Sequence, residues 1–155
     1  MKVEPSAYTI DDLERDGRTG WEGVRNYQAR NLLRDEIQVG DGVLFYASNA
    51  DPSGVTGLAE VVRAGYPDPL QFARGHDYFD PKATADAPIW YSVDIRFVER
   101  FPAVVALADL KANPALRGMM VIQRGTRLSV QPVSPAEYAE VCRMGRRGGS
   151  TPARR

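Results

Sequence analysis

The chain has 155 residues, 43% of them hydrophobic and 26% charged, with 20 Lys and Arg balanced by 20 Asp and Glu. That length suits one domain with a single buried core, and no apolar run approaches the roughly 20 residues of a membrane-spanning helix. A single cysteine, Cys142, and a single histidine, His76, exclude an internal disulfide and a His/Cys metal cluster, so a cytoplasmic monomer without metal or cofactor and without a membrane partner is expected.

Charge is unevenly spread. Residues 1–110 hold 11 Lys and Arg against 18 Asp and Glu, and residues 111–155 hold 9 against 2. A basic C-terminal third is compatible with contact to a phosphate backbone, and as much with a solvated tail.

Lys2-Val3-Glu4-Pro5 reads as the end of a strand whose beginning is missing, closed by a proline that favours extended geometry before it. Tyr8 to Leu13 fits a short helix capped by Thr9. Thr19 and Glu22 have capping-box spacing, which predicts the main helix from about Gly20 to Arg34. On such a helix Trp21, Val24, Tyr27, Gln28, Asn31 and Leu32 share one face. Two carboxamides, Gln28 and Asn31, then lie on the stripe that should be apolar, and buried amides need partners or a ligand.

Val43 to Ser48 is a strand, with Leu44, Tyr46 and Ser48 on one face and Val43, Phe45 and Ala47 on the other. Val55 to Val62 returns as its partner, and Gly57 in mid-strand points to a bulge or a close approach. Residues 65–88 lack periodicity but carry Tyr66, Phe72, Tyr78 and Phe79 among prolines, which suits a packed lid. Ile89 to Val98 is the longest strand. Leu107 to Ala112 reads as a short helix, and Pro114 opens another turn. Met119–Arg124 and Arg127–Gln131 read as a hairpin around Gly125-Thr126. Ser134-Pro135-Ala136-Glu137 is a capping box for a helix to about Arg143. This divides the chain into a domain over 1–143 and a disordered basic tail over 144–155. Five or six strands interrupted by short helices, without strand-helix-strand alternation, define an α+β domain with a mixed sheet curling into a barrel.

Nucleophilic catalysis lacks its parts, and no glycine-rich phosphate loop precedes a helix. Lys2 with Glu4 is the one conceivable acid/base pair. Binding is better supported. Flipped or single-stranded bases are held by aromatic stacking and by hydrogen bonds to the base edge, within basic surroundings. Trp21, Tyr46, Tyr66, Phe72, Tyr78 and Trp90 offer rings, while Asn26, Gln28, Asn31, Ser48 and Asn49 offer polar groups.

Several stretches resemble the EVE domain family: Lys2-x-Glu4-Pro5, Trp21-x-Gly23-Val24-Arg25-Asn26-Tyr27-Gln28-Ala29-Arg30-Asn31, Leu44-Phe45-Tyr46-x-Ser48-Asn49, Tyr66-Pro67-Asp68-Pro69, Trp90-Tyr91-x-Val93-Asp94 and Arg124-Gly125-x-Arg127-Leu128-Ser129-Val130-Gln131-Pro132-Val133. The resemblance spans about residues 2–142. It implies a PUA-like mixed barrel with short flanking helices, related to YTH and ASCH domains, and a non-catalytic pocket for a modified base in DNA or RNA, modified cytosine being the substrate class. In that reading Trp21 and one of Tyr66, Phe72 and Tyr78 sandwich the base, Val24 and Tyr46 line the wall, and Asn26, Gln28, Ser48 and Asn49 read its edge. Arg25, Arg30, Arg124 and Arg127 hold phosphate or brace the pocket. Three positions depart from the family pattern: Val3 replaces serine, Ala47 replaces histidine and Glu22 replaces aspartate. Two alternatives stay open: an ASCH-like hydrolase of a modified nucleoside using Lys2 and Glu4, and a small-molecule or protein-binding module.

Overall fold

The computed structural model describes residues 1–125 and 128–147. Five strands form one mixed sheet: β1 (Lys2–Val3), β2 (Arg18–Gly20), β3 (Gly42–Ala47), β4 (Gly54–Pro67) and β5 (Tyr91–Ala106), in the order β1-β3-β4-β5-β2. β1 runs parallel to β3, and every other pairing is antiparallel. The α+β class and strand number are as expected. The ladder leaves the sheet open, with β1 and β2 as its two edges.

β4 and β5 are long enough to bend, and their pairing shifts register at four places. Each shift adds twist and lets one strand serve both faces of the sheet. Gly57 lies at one of them, where an added Cβ would sit 2.4 Å from the Glu99 carbonyl and 2.8 Å from Ile10 Cδ1. The mid-strand glycine therefore marks the bulge and close approach its position suggested.

Alternation along β3 divides two cores. Val43 and Phe45 join Ile10, Leu13, Trp21, Val24, Leu33, Val93 and Ile95. Leu44 and Tyr46 join Val55, Leu58, Phe101, Leu110, Leu116 and Val141 on the other face. The first cluster is closed by α1 (Ile10–Asp16), whose Thr9 and Asp12 form a complete capping box. The second is closed by α3 (Leu107–Ala112) and α4 (Pro135–Arg146), the latter opened by the Ser134/Glu137 capping box. Cys142 is a buried thiol on α4, with its ionisation pushed up by burial.

Three expectations fail for identifiable reasons. The main helix does not begin near Gly20. Thr19 and Gly20 are strand residues paired with Ile95 and Asp94, and Trp21 N–H extends that pairing to the Val93 carbonyl at 2.7 Å. Gly23 then takes φ +86°, which no helix continues. Helix starts only at α2 (Tyr27–Asn31), capped by Asn26, and continues as a π turn over Leu32–Glu36. The buried positions are consequently Ala29 and Leu33, while Gln28 and Asn31 are exposed. The supposed buried amides do not exist.

The second failure is the hairpin. Met120–Ile122 is a 3-10 turn, tied by the Gln123 side chain to the carbonyls of Arg117 and Met119, with Met119 buried in the second core. Its proposed turn partner, Thr126, and Arg127 lie outside the described residues. Third, α4 runs past Arg143 to Arg146, because Gly145 packs on Phe101 and Arg146 pairs with Glu99 at 3.0 Å. Of the proposed tail, residues 148–155 lie outside the described residues.

Candidate functional site

The segment Trp21–Asn26 joins β2 to α2 without regular secondary structure and meets the long β4–β5 connection at Asp68 and Tyr78. Asp68 fastens the two together. Its carboxylate is fully buried and accepts hydrogen bonds from Gly23 N–H at 2.7 Å, Leu70 N–H at 2.8 Å and Arg25 Nη1 at 3.0 Å. Three residues on, the equally buried Gln71 donates to the Asp68 and Trp90 carbonyls and accepts from the Ile89 and Trp90 amides. The connection is held by polar side chains whose bonds are all satisfied, while Phe72 and Tyr78 stay exposed where a packed lid was expected.

Arg25 occupies the centre. Its guanidinium lies 5.2 Å from the Tyr78 ring centroid and 5.3 Å from that of Trp90, and it also donates to the Tyr78 and Val24 carbonyls. With every edge engaged, this arginine braces the lid. Behind it, Trp90 Nε1 donates to Asp80 at 2.8 Å, a bond that holds the Asp80 carboxyl below its ordinary range. Tyr27 stacks on Trp90 with centroids 4.8 Å apart, and Arg30 lies 5.0 Å from the Tyr27 ring while donating to the Ile89 carbonyl.

Along the same face, Tyr66 donates to Asp94 at 2.5 Å, and Arg18 donates to the other Asp94 oxygen at 2.9 Å. Burial and then the Asp94 contact push the Tyr66 hydroxyl up to about 12, so it remains a neutral donor at physiological pH. Glu22 is pushed up by burial first and then by the nearby Asp68 and Asp94. Arg63 stacks 3.8 Å from the Tyr66 centroid.

The expected site residues therefore separate. Arg25, Arg30 and Tyr78 converge on this face, with Tyr66 at its far end. Asn26 and Gln28 are exposed at the start of α2, where the Asn26 oxygen accepts from the Gln28 and Ala29 amides and so acts first as a helix cap. Trp21 and Val24 are 8% and 7% exposed and belong to the first core. Tyr46 is buried in the second core, on the other side of the sheet from Trp21, so those two rings do not share a wall. Ser48 is half-buried at the end of β3, and Asn49 donates to Glu4 at 2.9 Å. Glu4 thus pairs with Asn49, and Lys2 is held through its backbone amide by the Ser129 carbonyl. Phe72 is exposed on the 3-10 turn Pro69–Phe72, and Arg124 is exposed remote from these groups in sequence. Arg127 lies outside the described residues.

Tyr27, Asp68, Gln71 and Trp90 build the face but carried no site assignment beforehand, apart from Trp90 as one ring among several. Asp68-Pro69 had a readable signal, an aspartate cap before proline. Gln71 had none. A groove of about 490 Å³ lies elsewhere, between Leu32, Ile37, Val43, Val130, Val133 and Tyr138, and none of the expected base-binding residues lines it.

Gly23 joins the segment to the lid through shape as well as bonding. An added Cβ would stand 2.6 Å from a Tyr78 ring carbon, at a backbone angle that side chains rarely adopt. Gly23→Ala is expected to cost about 1–3 kcal/mol and to displace Tyr78. Urea unfolding and near-ultraviolet circular dichroism test this; an unchanged midpoint with an unchanged aromatic spectrum would contradict it.

A small α+β domain with an open mixed sheet and a lid fastened over its extended central segment is a PUA-like fold. More specifically, the chain belongs to the EVE domain family, whose model matches residues 1–144. Human thymocyte nuclear protein 1 is 37% identical over 156 residues, covering 89% of this chain and 69% of the human one. A hypothetical protein from Leishmania major superposes with a TM-score of 0.88 at 47% identity, over 95% of this chain and 92% of that one. Human THYN1, solved in complex with 5-methylcytosine-containing DNA, superposes with a TM-score of 0.85 at 35% identity, over 94% of this chain and 95% of that one. Among the described residues no helix is long and apolar enough to cross a membrane.

Proposed function

We propose that this protein is a non-catalytic reader of a modified base, of the modified-cytosine class, in nucleic acid. The observation that carries the reading is the aromatic and arginine face built on the Trp21–Asn31 motif: Tyr78 and Tyr27 exposed on a braced scaffold, with exposed amides at Asn26 and Gln28 beside them. Rings on such a scaffold stack bases without paying to order them, and amides read base edges. The human relative's complex with methylated DNA supports the same chemistry here.

In this reading the base lies against Tyr78, with Asn26 and Gln28 at its edge and Trp21 and Val24 supporting the floor from the core. Arg25 braces, and Arg30 meets phosphate. Ser48, Asn49, Tyr66 and Phe72 serve the surroundings of the site, whereas Tyr46, buried in the second core, does not. Fluorescence anisotropy with otherwise identical oligonucleotides carrying cytosine, 5-methylcytosine or 5-hydroxymethylcytosine, as DNA and as RNA, tests the proposal. Tighter binding to one modified form, lost in Tyr78→Ala, is the expected result. Equal weak binding to every oligonucleotide would refute it.

A further inference from the structure

We propose that Tyr27, with Arg30 at its side, forms a stacking subsite for an unpaired nucleotide adjacent to the modified one. The inference rests on the reader function above and extends it to a second nucleotide.

Tyr27 is 57% exposed, although it is a large aromatic in the first turn of a short helix where a polar residue would serve the fold as well. Its orientation is nevertheless fixed. The ring lies on Trp90, tilted by 34°. Trp90 is itself 5% exposed, anchored through Nε1 to Asp80 and covered by Arg25. Tyr27 is thus one outer layer of a series that runs through Trp90 and Arg25 to the likewise exposed Tyr78. A rigid exposed ring of this kind presents an apolar surface to a base at little entropic cost.

Charge identifies the occupant. Arg25 is neutralised by the buried Asp68, whereas the hydrogen bonds Arg30 makes are to neutral oxygens, the Ile89 carbonyl and the Asn31 carboxamide. Among the described residues Arg30 has no ion-pair partner, although Asp35 lies close enough to feel its charge, and its guanidinium sits over the Tyr27 ring, 5.0 Å from the centroid. An exposed aromatic platform accompanied by a guanidinium that forms no ion pair among the described residues matches a nucleotide, base on the ring and phosphate on the arginine. Because every base has a stacking face, this subsite adds affinity without reading sequence.

The test uses the full chain and single-stranded oligonucleotides carrying one 5-methylcytosine or cytosine, each also made with an abasic site next to that position. Tyr27→Ala is expected to weaken binding about tenfold for methylated and unmethylated forms alike, leaving their ratio unchanged. Tyr27→Phe, which keeps the ring, is expected to bind like wild type. The abasic site is expected to weaken wild type but to add little to Tyr27→Ala. Arg30→Gln is expected to lower the slope of log affinity against log salt by about 0.7. Methyl-selective wild-type binding that Tyr27→Ala leaves untouched, or an abasic penalty equal in both proteins, would overturn the subsite while leaving the reader function standing. Absence of oligonucleotide binding by wild type would overturn both.

Discussion

Replacing Asp68 by alanine is expected to destabilise the fold by about 3–5 kcal/mol, the usual cost of removing one partner from a buried ion pair. The Asp68 side chain is fully buried and Arg25 is only 20% exposed, so the guanidinium left behind would lose its ion-pair partner and find little water, with only the Asp80 carboxylate, already bonded to Trp90, in its neighbourhood. Two backbone amides, Gly23 N–H and Leu70 N–H, would lose their acceptor at the same time. Asp68→Asn keeps an acceptor for one of the two amides, since they bond to different carboxylate oxygens, and removes the charge, so a smaller loss is expected. The difference between the two variants separates charge pairing from hydrogen bonding. Urea unfolding, followed by both far-ultraviolet dichroism and tryptophan fluorescence, measures this. A loss below about 1 kcal/mol for the alanine variant would show that water enters and replaces the carboxylate. Function should follow stability here, because the same carboxylate holds Arg25 between Tyr78 and Trp90.

The strands were legible in the sequence wherever apolar alternation was strong. Val43 to Ala47 divides between the two cores as its period-two pattern requires, and the expected Thr9 cap and Ser134 capping box both form. The central segment misled because two local signals competed. Thr19 and Glu22 have the spacing of a cap, but Thr19 has a stronger partner in β5, a residue 76 positions away, and pairing at that separation leaves no local trace. Gly23 was the readable warning, since a glycine three residues into a proposed helix is costly unless the backbone needs its freedom. Once the helix moves to Tyr27, the identity of the face changes with it. Gln28 and Asn31 turn outward, Tyr27 becomes an exposed platform and Asn26 becomes a cap. The lid shows the opposite limit. Its aromatics announced packing, but Asp68 and Gln71 fasten it through bonds to backbone groups, and backbone acceptors cannot be read from residue type.

Trp21 carries the other large expected effect, and it bears directly on what the pocket is made of. Its ring is 8% exposed and meets Phe45 edge to face at 5.9 Å, while its main chain pairs with Val93 and accepts the Ser92 hydroxyl at 2.9 Å. Trp21→Ala should therefore cost about 3–5 kcal/mol through the cavity it opens between α1, β3 and β5. Loss of nucleic-acid binding in that variant would say little about stacking, because the extended segment that carries Gly23 and Arg25 rests on this ring. Trp21→Phe separates the roles. Phenylalanine retains an aromatic edge for Phe45 and leaves a smaller void, so the variant should fold with a reduced loss and keep its preference among cytosine, 5-methylcytosine and 5-hydroxymethylcytosine to within a few-fold. If it folds as wild type does yet loses that preference, the indole touches the base directly, and the stacking surface reaches down through the floor to Trp21 instead of ending at Tyr78.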